Sequence, residues 1–171
     1  MDEESIVDLL NDPQASQADL IQVIEATDVD PHLRDGALNH QNLSDDAIEM
    51  LLIQGSDGLR TRILAGVQRA TILRQWARTH QVTDRATVAM NPATPPDAVS
   101  HLVRDRAPEV RSNLVFHPGL SLAQVRRLAL TDRDADVRQA ARFALSTATG
   151  WLLRTGERWV ASDQVADDEP G

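Results

Sequence analysis

Read as apolar and polar positions, the chain writes one pattern five times, with copies opening near residues 12, 40, 66, 91 and 117. Each copy passes from a short polar turn into an apolar stretch and breaks at a small acidic or glycine-bearing segment. It then sets a residue before an arginine and runs into a second apolar stretch. In the first stretch apolar side chains recur three apart, as Leu20/Val23, Ile48/Leu51, Leu73/Trp76, Val99/Leu102 and Val125/Leu128. Neighbours at Ile24, Leu52, Val103 and Ala129 widen the stripe. In the second stretch the spacing is four, as Leu33/Ala37, Leu59/Ile63, Val110/Leu114 and Val137/Ala141. Both spacings describe one face of a helix and neither describes the alternation of a strand. The third copy is imperfect: Asp84 stands where an apolar residue is expected, with Val88 holding the second position.

The breaks read as turns: Asp28-Val29-Asp30-Pro31, Asp57-Gly58, Asp105-Arg106-Ala107-Pro108 and Asp132-Arg133-Asp134. Ser16 with Asp19, Thr94 with Asp97 and Ser121 with Gln124 have capping-box spacing, and Pro95 and Pro96 suit a first helical turn. Each copy therefore predicts two helices of about ten residues, too short to be stable alone. A fixed period of this length means stacked units that cover one another's apolar faces. The expected fold is all-α: an α-solenoid of about five two-helix repeats over residues 1–145. Beyond it, residues 146–161 are expected to form a cap, as a hairpin turning at Thr155-Gly156 or a short helix, and residues 162–171 a disordered acidic tail.

The two most regular copies carry a resemblance. Asn91-Pro92-Ala93-Thr94-Pro95-Pro96-Asp97 through Val110-Arg111, and His117-Pro118 through Asp132 and Val137-Arg138, resemble the leucine-rich repeat variant family, a relative in architecture of HEAT-type repeats. The resemblance implies a right-handed superhelix of short helices used mainly for binding. Some family members hold an iron–sulfur cluster on cysteines. This chain of 171 residues has no cysteine, so that cofactor does not carry over.

Charge changes the picture more than composition does. The net charge of −9 hides a segregation by sign. Residues 1–57 hold 14 Asp and Glu against a single Arg, whereas residues 58–162 hold 16 Arg against 8 acids. All basic residues are arginine, and aromatics make up only 3%. A solvated surface usually mixes its signs, so the separation points to recognition. The acidic start, Met1-Asp2-Glu3-Glu4-Ser5, leads into no long apolar run, and a cytoplasmic protein with no membrane segment is expected.

Two sets of residues stand out. The repeated arginines Arg34, Arg60, Arg85, Arg111 and Arg138, three of them preceded six residues earlier by Asp28, Asp105 and Asp132, predict a structural ladder. In it a planar guanidinium bonds turn carboxylates and helix-end carbonyls of its own or the next repeat. Arginines outside the ladder include Arg69, Arg126, Arg127 and Arg133; of this group Arg62, Arg74, Arg78, Arg104, Arg106 and Arg142, together with Trp151 and Trp159, are the candidate partner-binding residues. The histidines form no ligand spacing, and His40 and His117 share one turn position that suits capping. No nucleophile–base pair, phosphate loop or acid/base dyad is present in the sequence, and neither a cofactor nor a metal is expected. The expected function is a non-catalytic scaffold that binds a protein through the surface of the stack, with weak head-to-tail self-association. Two alternatives are a nucleic-acid-binding module using residues 58–142, of which a helical-repeat DNA glycosylase is the enzymatic extreme, and an acidic inhibitor or immunity-type protein.

Overall fold

The computed structural model describes residues 1–146 and the backbone of 152–155 and 158–161. Among the described residues there are eleven helices. They are α1 (Glu3–Asn11), α2 (Gln17–Glu25), α3 (Pro31–Leu38), α4 (Asp45–Gln54), α5 (Asp57–Gly66) and α6 (Ala70–Trp76). Then follow α7 (Val82–Met90), α8 (Pro96–Leu102), α9 (Pro108–Leu114), α10 (Leu122–Thr131) and α11 (Ala135–Ser146). Strands β1 (Leu152–Thr155) and β2 (Arg158–Ala161) pair antiparallel, with Leu152 opposite Ala161 and Thr155 opposite Arg158. The residues between these strands, Trp151, the side chain of Trp159 and the tail expected over 162–171 lie outside the described residues.

Local chemistry sets the helix boundaries. The hydroxyls of Ser16, Ser44, Ser56 and Ser121 each accept the amide three residues on, satisfying a donor that the first turn leaves open. At Ser121 the box is complete, because Gln124 Oε1 accepts the Ser121 amide at 2.7 Å. Thr94 does not cap α8. Pro95 precedes Pro96 and is kept extended (ψ 155°), so the helix begins one residue later than the box spacing predicts. The Thr94 hydroxyl is buried and donates instead to the Val88 carbonyl at 2.6 Å. Helix α1 was not anticipated, since its residues precede the first copy of the pattern; Asp2 caps it by accepting the Ser5 amide.

After α1 the helices follow as pairs: α2–α3, α4–α5, α6–α7, α8–α9 and α10–α11. The second helices pack in sequence, α3 on α5, α5 on α7, α7 on α9 and α9 on α11, with α1 against α3 at the start of the row. A second row runs α4 to α6 to α8. Because adjoining helices are joined by short turns, the turns within pairs (hairpin turns) gather at one edge and the turns between pairs (linking turns) at the opposite edge. The core between the rows is aliphatic: Leu20, Ile24, Leu52, Leu64, Leu73 and Leu102 are completely buried. Close approach is helped by Gly36, where a Cβ would lie 2.9 Å from Leu10 Cδ1 of α1. Among the described residues no helix is long and apolar enough to cross a membrane.

Truncating a fully buried position should be expensive wherever it lies along the rows. Leu102→Ala is expected to lower stability by about 2–5 kcal/mol. Ile53→Ala, at a position 69% exposed, should change it by about 0.5 kcal/mol or less. Urea unfolding of the two variants checks both.

Candidate functional site

The turns leave carbonyl groups that no helix satisfies, and side chains bind them, from the same pair on the hairpin-turn edge and from the following pair on the linking-turn edge. On the hairpin-turn edge this falls to the repeated arginines. Arg111 Nη1 donates to the carbonyls of Asp105 (2.7 Å) and Arg106 (3.2 Å) in the turn before its own helix. Its Nε and Nη2 donate to the two carboxylate oxygens of Asp132, in the next hairpin turn, both at 2.8 Å. Arg85 repeats the arrangement one pair earlier. It binds the carbonyls of Thr79 and His80 at 2.8 and 3.1 Å, and Asp105 at 2.6 and 3.0 Å. Both side-chain pairs are nearly buried, at 6% and 5% exposure for Arg85 and Asp105, and 5% each for Arg111 and Asp132.

The two ends of this series differ from its centre. Arg60 Nε donates to Asp84 at 3.1 Å, and its Nη2 pairs with Asp57. Asp84 is the residue that breaks the apolar pattern of the third copy. It stands on α7, buried, and supplies the carboxylate that Thr79 at the usual turn position does not. Its second oxygen has no hydrogen-bond partner among the described residues. Arg34 binds the carbonyls of Ala26 and Val29 at 3.1 and 2.9 Å, but its buried Nε has no partner among the described residues. The residue six before Arg60 is Gln54, so no carboxylate is offered there. Arg138 binds the Asp132 carbonyl at 2.7 Å. Asp28 is exposed and takes no part in these contacts.

The linking-turn edge is held by a different residue at each junction. Asn42 Nδ2 donates to the carbonyls of Pro13 and Ala15 at 2.9 and 3.0 Å. Arg69 Nη2 donates to His40 and Leu43 at 2.8 and 3.1 Å. Asn91 Nδ2 donates to Leu64 and Val67 at 2.9 and 2.8 Å. His117 Nε2 contacts the Asn91 carbonyl at 2.9 Å, while its Nδ1 accepts the Gly119 amide at 2.9 Å. That pairing assigns the proton to Nε2. Arg69, read from the sequence as one of the arginines outside the ladder, is therefore a joint between layers.

Of the candidate partner-binding residues, the structure brings Arg78, Arg104 and Arg106 together. They line two adjoining grooves of about 420 Å³ each, which share Arg104, Asp105 and Arg106. Arg127 and Arg133 complete the first groove. All five are exposed. Arg104 and Arg133 donate only to backbone carbonyls, of Ser100 and Arg106, and none of the five has a carboxylate partner among the described residues. The carboxylates that enter these grooves, Asp105 and Asp132, are already neutralised by Arg85 and Arg111. The hairpin-turn edge of the last three pairs therefore concentrates arginines that have no carboxylate partner among the described residues, although Asp134 in the fifth turn and the exposed Glu109 and Asp136 in the first turns of α9 and α11 add acids to it. Arg62, Arg74 and Arg142 lie elsewhere. Arg62 is half-buried on α5, Arg74 is paired with Asp97 at 2.9 Å, and Arg142 is exposed on α11.

Sequence reasoning missed a second surface. Met90, Phe116 and Phe143 occupy equivalent positions, 26 and 27 residues apart, and are 65%, 58% and 59% exposed. The two phenylalanine rings meet edge to face, their centroids 6.4 Å apart. The signal was the recurrence of a large apolar residue just past the buried face, where the first two copies have Asn39 and Ala65.

The buried pairs also set the acid response. The Arg111 hydrogen bond holds the Asp132 carboxyl below its ordinary value of 3.8, against burial, which raises it. Burial raises Asp105 as well, but the Arg85 hydrogen bond and the Ala107 amide outweigh it and leave the group lowered. The folded chain thus binds fewer protons than the unfolded chain near that value, so the contribution of both pairs is complete above 3.8 and is lost as pH falls below it. Urea midpoints measured against pH should show that decline, shallower in the double variant Arg111→Met/Asp132→Leu. At neutral pH Arg111→Met alone strands a buried carboxylate and should lower stability by about 3–5 kcal/mol, whereas the double variant recovers only the part due to that carboxylate, because the carbonyls of Asp105 and Arg106 stay unbound. No family model, no curated protein and no solved structure matches this chain.

Proposed function

We propose that the chain is a right-handed superhelix of five two-helix repeats, of the leucine-rich repeat variant kind that its motifs resemble, and that it is a non-catalytic scaffold for a protein partner. The partner binds along the hairpin-turn edge of the last three pairs through acidic side chains. The observation that carries this reading is the set of five exposed arginines, Arg78, Arg104, Arg106, Arg127 and Arg133, gathered on two adjoining grooves and none of them paired with a carboxylate among the described residues. Guanidinium groups held on rigid short turns present planar donor forks that suit carboxylates.

Two features favour a polypeptide over a nucleic acid. The same edge carries Asp28, Asp30 and Asp57 in its first two hairpin turns, all exposed, so a uniformly anionic strand meets repulsion beyond the third pair. A polypeptide can change sign along its length. The exposed apolar residues Met90 and Phe116 on the opposite edge are also of the type that anchors protein interfaces.

Fluorescence anisotropy with a labelled oligo-glutamate peptide tests the reading against duplex DNA of equal charge. The peptide is expected to bind at low salt, and Arg104→Glu/Arg106→Glu to weaken it by about tenfold or more. Tighter binding of the duplex would move the assignment to a nucleic-acid module. Absence of peptide binding at about 50 mM salt would end the proposal.

A further inference from the structure

The hairpin-turn edge reverses sign partway along its length. Its first turn presents Glu25, Asp28 and Asp30, and its second presents Asp57, whose side chain is 94% exposed although it also holds Arg60. Its third turn presents Arg78, its fourth Arg104 and Arg106 with Glu109 on the helix that follows, and its fifth Arg133 beside Asp134. Within the first four turns two acidic turns are followed by two basic ones, at a spacing of one helix layer each, about 8–10 Å. Such an edge is its own complement when turned end for end. A two-fold axis between the second and third pairs sets the first turn against the fourth of a second copy, and the second against the third. Asp28 and Asp30 then meet Arg104 and Arg106, and Asp57 meets Arg78; the symmetry makes every contact twice.

We infer that the protein pairs with a second copy of itself, antiparallel and edge to edge, through its hairpin turns. This rests on the preceding reading of the arginine edge as a site for acidic polypeptide, and it names the first such polypeptide. The pairing is closed by its two-fold axis, each copy using the first four turns of its edge, so assembly stops at two. Here it departs from the head-to-tail contact that charge segregation alone suggested, which would continue into longer assemblies. The overall charge of −9 does not forbid it: at about 0.1 M salt charges farther apart than about 10 Å are largely screened, and the facing turns decide. A protein partner for the arginine edge would compete with the second copy, so self-pairing would act as a cover on the site.

The test is a charge exchange followed by sedimentation equilibrium. The wild-type chain is expected at the mass of a dimer at about 0.1 M salt and of a monomer at about 1 M. Arg104→Glu/Arg106→Glu and Glu25→Arg/Asp28→Arg should each be monomeric, because each sets like charges opposite one another in both contacts. Asp30 is left in place, since it caps α3 by accepting the His32 amide. Mixed in equal amounts, the two variants restore opposite signs at both contacts and should form a dimer containing one of each. All changed side chains are exposed, and unchanged circular dichroism confirms that the variants are folded. A wild-type monomer at low salt, a series of masses beyond the dimer, or a mixture that stays monomeric would overturn the inference. The oligo-glutamate titration separates the two claims when run on Glu25→Arg/Asp28→Arg, whose arginine edge is intact and uncovered: a wild-type monomer together with peptide binding by this variant ends self-pairing alone, whereas no peptide binding by it ends the arginine-edge reading beneath.

Discussion

Short helices joined by short turns leave more backbone carbonyls unsatisfied per residue than long helices do, and the structure depends on how those groups are bound. Helices of seven residues, such as α6, α8 and α9, are largely terminus. The aliphatic core covers their apolar faces but offers nothing to their ends. Arginines of the same pair make up the difference at the hairpin-turn edge and reach the next turn through its carboxylate, while asparagine, arginine and histidine from the following pair do so at the linking-turn edge, so the polar contacts set the register in which the core packs. Arg85 and Arg111 join three elements each: the turn before their own helix, the helix itself and the following turn.

The same economy produces the candidate site. Buried guanidinium groups claim the turn carboxylates for internal contacts. The arginines left in the turns of the third to fifth pairs, Arg78, Arg104, Arg106 and Arg133, face solvent with no carboxylate partner among the described residues. A rigid, positively charged edge is thus a by-product of how the layers are fastened. It is the surface proposed for recognition, since Arg78, Arg104, Arg106, Arg127 and Arg133 border two adjoining grooves.

Much of the helical organisation was legible in the chain because its signals are local: apolar spacing, serine caps, and prolines at the first helical positions of α3, α8 and α9. The apolar–arginine pairs marked the second helices for the same reason. What was not legible involved partners distant in sequence. Asp84 looked like a defect in the third copy, and only its contact with Arg60, 24 residues earlier, explains it. Arg69 and Arg127 are both arginines beside apolar stripes, yet one binds His40 and Leu43 and the other lines a groove. The Thr94 cap was misplaced because two consecutive prolines shift the helix start. The exposed apolar row at Met90 and Phe116 escaped notice because a helical pattern reports which residues fit a buried face and not which extra ones stand beside it.

The linking-turn edge has one more implication. Its four junctions are closed by Asn42, Arg69, Asn91 and His117, each matched to a different set of acceptors. Layers fastened by unlike keys are not interchangeable. Duplicating, deleting or transplanting a single helix pair would leave a donor or a carbonyl stranded at each new boundary, so this array cannot lengthen or shorten by copying its modules unless the matching residues travel with them.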